Sequence, residues 1–133
     1  MDICNKIRKA RRRGKTRCNV VDGRMSVVEA ARAFGLAEDK ATYRSVGSTE
    51  AEEIAVHILR ADLAYSLKIM SVLRAADLWR QFMALFEGQN VEFATNVLAD
   101  PTNWMPATQA TFDMGVLVMG SSKTGCLWVE DED

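Results

Sequence analysis

Eight bases fall within Lys6–Arg17: Lys6, Arg8, Lys9, Arg11, Arg12, Arg13, Lys15 and Arg17. The chemistry open to such a run is phosphate neutralisation. Lys and Arg displace the counterions condensed on a nucleic acid, and Arg adds bidentate hydrogen bonds to phosphate and to guanine edges. Aromatic side chains that would stack single-stranded bases are absent from the run. Arg8, Lys9, Arg11, Arg12, Arg13, Lys15 and Arg17 are therefore the first candidate contacts to DNA or RNA.

The opposite charge collects at the other end, in Glu130-Asp131-Glu132-Asp133. The net charge is only -1, yet residues 1–44 hold twelve bases and five acids, while residues 45–133 hold five bases and thirteen acids. Segregation of this kind points to a polyanionic partner at one end, or to the two ends meeting each other. The acidic end itself suits a phosphate mimic that blocks a basic groove, or a solvated terminus.

Catalytic and metal-binding patterns are missing. The single histidine, His57, has neither an orienting partner nor a nucleophile at recognisable spacing, and the sequence holds no GxSxG, HExxH or Walker loop. Gly120–Gly125 superficially resembles a phosphate loop, but its glycine spacing is wrong and a strand pattern follows it instead of a helix. Cys4, Cys18 and Cys126 are widely spaced, whereas zinc sites draw ligands in close pairs. The residues predict no enzyme, no cofactor and no metal. With no secretory signal pattern, they also predict reduced thiols in a cytoplasmic protein. The most apolar stretch, Ile54–Phe86, is interrupted by six charges, so no membrane span is expected.

The elements that must position these groups are mostly helical by pattern. Asp2 can cap a helix over 2–13 with Ile3, Ile7 and Ala10 on one stripe, and Gly14 can close it. Thr16–Val21 is β-prone and ends at the turn pair Asp22-Gly23. Ser26 and Glu29 form a capping box for a helix running to Gly35. That helix, its glycine and the stretch Lys40–Arg44 look like the start of a helix-turn-helix, which adds Lys40 and Arg44 to the candidate nucleic-acid contacts. The same residues also suit an ordinary amphipathic helix with a glycine cap, followed by a short helix around Glu38–Arg44.

Thr49 and Glu52 form a second capping box, and a helical pattern runs from there almost to Gly88, with a bend or break near Ala64–Lys68. Its apolar residues cover more than one stripe, so it must be buried on several sides, as the central pillar of the domain or as a subunit interface. Tyr65, Trp79, Phe82, Met83 and Phe86 are the candidate residues for an oligomer or partner interface, and a homo-oligomer is expected. A further short helix fits Val91–Leu98, and Asp100-Pro101 restarts the chain. Phe112–Gly120 and Cys126–Val129 read as a hairpin.

The expected architecture is a predominantly helical α+β domain over residues 1–133. It has a basic N-terminal helix or arm over 1–17, a long central helix, and a small antiparallel β-hairpin with an acidic tail over 112–133. The expected function is that of a small nucleic-acid-binding regulatory or accessory protein. The alternative is a protein-binding inhibitor or adaptor that acts through its helices and charged surfaces without touching nucleic acid.

Overall fold

The computed structural model describes residues 2–99 and 102–133. The Asp100-Pro101 restart lies outside the described residues. Among the described residues, four helices, α1 (Ile3–Ala10), α2 (Val27–Ala33), α3 (Ser48–Arg60) and α4 (Val72–Met83), accompany five strands: β1 (Lys15–Asp22), β2 (Arg44–Val46), β3 (Glu92–Thr95), β4 (Phe112–Met119) and β5 (Lys123–Asp131). The strands form one sheet in the order β1-β5-β4-β3-β2, with every neighbouring pair antiparallel.

This corrects the expected fold. The protein is α+β, but a five-stranded sheet forms its centre, and the chain is not predominantly helical. The C-terminal hairpin β4–β5 is no small appendage: it supplies two of the sheet's three inner strands. Its apolar run is buried on both faces because helices cover both faces.

Side-chain alternation sorts the core into two layers. Met114, Val116 and Val118 of β4 and Leu127 and Val129 of β5 pack with α1, α3 and α4. Leu117 and Met119 of β4 and Cys126 and Trp128 of β5 point the other way, onto Ala30 and Ala31 of α2 and onto Leu36 and Ala107. Gly115 lies under the Trp128 ring, where a Cβ would overlap the indole. On that face Asp113 is fully buried and accepts hydrogen bonds from Trp128 Nε1 at 2.9 Å and from the amide of Ala107 at 3.1 Å. Asn96 Nδ2 donates to the same carboxylate at 3.0 Å. The carboxylate thereby fastens the 105–111 loop to the sheet.

The helical pattern over 49–88, expected to bend or break near Ala64–Lys68, is two helices, parted by residues 61–71. α3 ends at Arg60, and Ala61 is extended. The carbonyl of Arg60 is taken by the amides of Ile69 and Met70, which fold the chain back on itself. Asp62 closes the turn, accepting from the Tyr65 amide at 2.6 Å through its side chain and from the Ser66 amide through its carbonyl. Ser71 then caps α4 by accepting from the Arg74 amide.

The helix expected over Val91–Leu98 is strand β3, hydrogen-bonded on both sides. A short apolar run of this kind has no period that distinguishes helix from strand. The second half of the helix-turn-helix is absent too. After α2, Gly35 turns the chain with φ +73°, one 3-10 turn spans Lys40–Thr42, and Arg44 begins β2. Among the described residues, no helix is long and apolar enough to cross a membrane.

Candidate functional site

The basic run and the acidic C-terminus meet. β1 pairs with β5 from Lys15 opposite Glu130 to Asp22 opposite Lys123. Arg11, immediately after α1, turns inward and is 2% exposed. Its guanidinium grips both carboxylate oxygens of Asp131, at 2.9 and 2.7 Å, while Nε donates to the carbonyl of Ile58 at 2.7 Å. Gly14, at φ +62°, makes this approach possible, since a Cβ there would overlap Asp131 and the carbonyl of Glu130. Arg17 pairs with Glu130 and donates to the carbonyl of Phe34.

These contacts divide the candidate phosphate ligands into two groups. Arg8 donates to the carbonyl of Cys18 and to Asn5, Arg11 and Arg17 are held as above, and Arg44 binds the carbonyl of Val97 and the Glu50 carboxylate. All four guanidiniums serve the fold. Lys9, Arg12, Arg13, Lys15 and Lys40 are exposed. Lys40 sits on the α2 side of the sheet, after Leu36 and before Tyr43, both of which belong to that layer's core.

Of the candidate interface residues, Trp79, Phe82 and Phe86 lie in the core, 3%, 0% and 3% exposed; Phe82 stacks on Trp79 and meets the Phe86 ring at a tilt. Met83 packs partly buried against the same core. The three aromatic rings have no face to offer a partner. The apolar stripe of α4 reads alike whether the sheet or a second subunit covers it.

Tyr65 stands apart, 59% exposed on the turn between α3 and α4. The structure brings it into one groove of about 640 Å³ with Arg12, Arg13 and Lys15. The groove's acids are Asp62, Glu130, Asp131 and Glu132. Each is engaged: Asp62 with Arg13 at 3.6 Å, Glu130 with Arg17, Asp131 with Arg11, and Glu132 with the Thr111 amide and hydroxyl. Arg12 and Lys15 form no ion pair among the described residues. Leu67, Val72 and Leu73 follow Tyr65 at 49%, 53% and 83% exposure. Sequence reasoning missed these three, although a break near Ala64–Lys68 leaves the apolar residues around it without a helix face to bury.

A second groove, of about 460 Å³, lies beside α3 and is lined by Glu50, Glu53, His57, Val97 and Met114. Burial, aided by Arg60, lowers the His57 pKa below its usual value and favours the neutral ring. No nucleophile is hydrogen-bonded to it among the described residues. Also among those residues, no three His, Cys, Asp or Glu side chains converge as metal ligands would. No protein-family model, no curated protein and no solved structure matches this chain.

Proposed function

We propose that the protein is a binding module that docks a protein partner on the Tyr65–Leu73 ridge. One observation carries this reading. Among the described residues, four of the seven exposed large apolar side chains, Tyr65, Leu67, Val72 and Leu73, fall within nine positions. Fully burying an exposed Leu or Val contributes about 1.5–3 kcal/mol, and a part-exposed one a share of that; apolar clusters on a surface commonly mark interaction sites. Arg12, Arg13 and Lys15 border the ridge at Tyr65. Tyr and Arg are the residue types that most often anchor interfaces. The fitting occupant is a protein surface with an apolar centre and carboxylates on its rim.

A nucleic-acid partner is the second reading, supported by Arg12 and Lys15, which form no ion pair among the described residues and line the groove that holds Tyr65. Its footprint is smaller than the sequence implies, because four of the nine candidate cations are engaged in the fold.

Captured proteins identified by mass spectrometry, then purified and titrated against the full chain, test the first reading. Leu73→Glu and Arg12→Glu should each weaken the complex at least about tenfold, as losing one buried anchor does. Lys40→Glu, on the other side of the sheet, should leave it unchanged. A complex indifferent to Leu73→Glu would refute the docking ridge. Fluorescence anisotropy with duplex DNA and structured RNA across a salt series gives the other arm. Affinity that falls steeply with salt and is lost in Arg12→Glu would favour the second reading. A dimer in light scattering that Leu73→Glu dissolves would put a second copy of this chain on the ridge.

A further inference from the structure

Cys4 and Cys18, fourteen positions apart, meet across the interface between α1 and β1. The Cys18 thiol donates to the Cys4 sulfur at 2.9 Å. Both side chains are buried, yet Cys4 borders an open groove of about 600 Å³ formed with Asp2, Ile3, Arg8, Asn19 and Val20. Cys126 is buried in the other core layer, on the opposite face of the sheet.

We infer that Cys4 and Cys18 form a reversible dithiol–disulfide site, oxidised by a low-molecular-weight disulfide that reaches Cys4 through this groove. Cys4 has the features of an attacking thiol. It lies in the first turn of α1, where the helix dipole favours an anion. The Cys18 hydrogen bond lowers its pKa, and the Arg8 guanidinium acts in the same direction, against burial and the Asp2 carboxylate. Donating that same hydrogen bond raises the pKa of Cys18, which therefore keeps the proton of the pair. Cys18 is the resolving thiol.

The steps balance. The Cys4 thiolate attacks one sulfur of the small disulfide, forms a mixed disulfide and expels a thiolate, which takes up the proton that Cys4 had released. Cys18 then gives up its proton and attacks the Cys4 sulfur. The mixed disulfide breaks, and the second small thiolate leaves and is protonated. The protein pair loses two electrons and two protons, and the reagent is reduced to thiol. The product ties α1, with its basic run, to the edge strand β1.

The full chain is incubated natively with oxidised dithiothreitol, quenched by alkylation and mapped without reduction. The expected result is a mass lower by two hydrogens and one cross-linked peptide joining Cys4 to Cys18, with Cys126 alkylated. Cys126→Ser should behave like wild type, whereas Cys4→Ser and Cys18→Ser should give no intramolecular cross-link. In dithiothreitol redox buffers, the equilibrium constant for forming the bond should be at least about tenfold larger in the folded protein than in guanidinium, since the fold holds the sulfurs together. The wild-type map and this ratio require no variant to fold. Cys4 and Cys18 both remaining alkylatable, a cross-link to Cys126, or a ratio of one or less would overturn the site.

Discussion

Arg11 spends all five of its N–H donors inside the protein, on both oxygens of Asp131 and on the carbonyls of Ile58, Arg13 and Ala61. Ile58 lies in the last turn of α3, so the guanidinium also caps that helix where its carbonyls lack partners. Removing one side of such a buried pair strands the other charge, at a cost of about 3–5 kcal/mol. Arg11→Ala should therefore lower the urea midpoint sharply, and Arg11→Lys should restore little of it, because an ammonium cannot span the fork. An Arg11→Met/Asp131→Leu double variant should be more stable than either single change. The inward turn had one signal in the sequence: Arg11 follows Ile7 by four positions, on the stripe that begins at Ile3. Its partner, 120 positions away, left no local trace, so the arginine reads as one more phosphate ligand.

Asp113 gives a prediction with a definite pH sign. Burial raises its pKa above the ordinary 3.8, partly offset by the donors Trp128, Ala107 and Thr108. The folded state thus holds this proton more tightly than the unfolded chain does. The group favours folding fully below 3.8, and that contribution is lost as pH rises through the raised folded value. Urea titrations at a series of pH values should show the stability of wild type relative to Asp113→Asn falling as pH rises from about 4. A relative stability that rises over that window would contradict the assignment.

At the scale of elements, the legible boundaries are those made by neighbouring residues. Ser26 and Glu29 form the capping box that the sequence implies, with both reciprocal hydrogen bonds present. The equivalent pair Thr49 and Glu52 forms none, because α3 starts two residues earlier than a Thr49 cap would allow, at Ser48, with Gly47 at its cap and no side-chain hydrogen bond there. Ser26→Ala should accordingly cost about 1 kcal/mol, and Thr49→Ala should stay within about 0.5 kcal/mol of wild type. Chemical denaturation of the two variants separates a working cap from a motif that only spells one. The break expected near Ala64–Lys68 lies within residues 61–71, and its ends are set by contacts that pattern does not specify: the Arg11 guanidinium on the carbonyls of Ile58 and Ala61, the Asp62 turn and Ser66 at φ 57°. The apolar residues stranded by that break, Leu67 and Leu73 among them, are what makes the α3–α4 connection a docking candidate.

At the scale of the whole molecule, the charge asymmetry is an internal device as much as a surface one. Strands β2 and β3, of three and four residues, carry too little sequence to be read as the far side of a sheet. The meeting of the two chain ends, by contrast, was visible as one of the two meanings of segregated charge. Sheet order turns that meeting into a mechanical link, since β5 lies between β1 and β4 and its last residues hold Arg11 and Arg17. Truncations can locate where this link stops. Removing residues 132–133 takes away exposed groups, of which Glu132 only receives the Thr111 donors, and should cost about 1 kcal/mol or less. Removing residues 130–133 also takes Asp131 and leaves Arg11 charged and unpaired in the core, at about 3–5 kcal/mol. Domains of this size are commonly stable by only about 5–15 kcal/mol, so the longer truncation should melt far below the shorter one in a thermal scan. Equal melting temperatures for the two would mean that the acidic end is a solvated terminus, and that the Arg11–Asp131 pair does not hold the ends of the chain together.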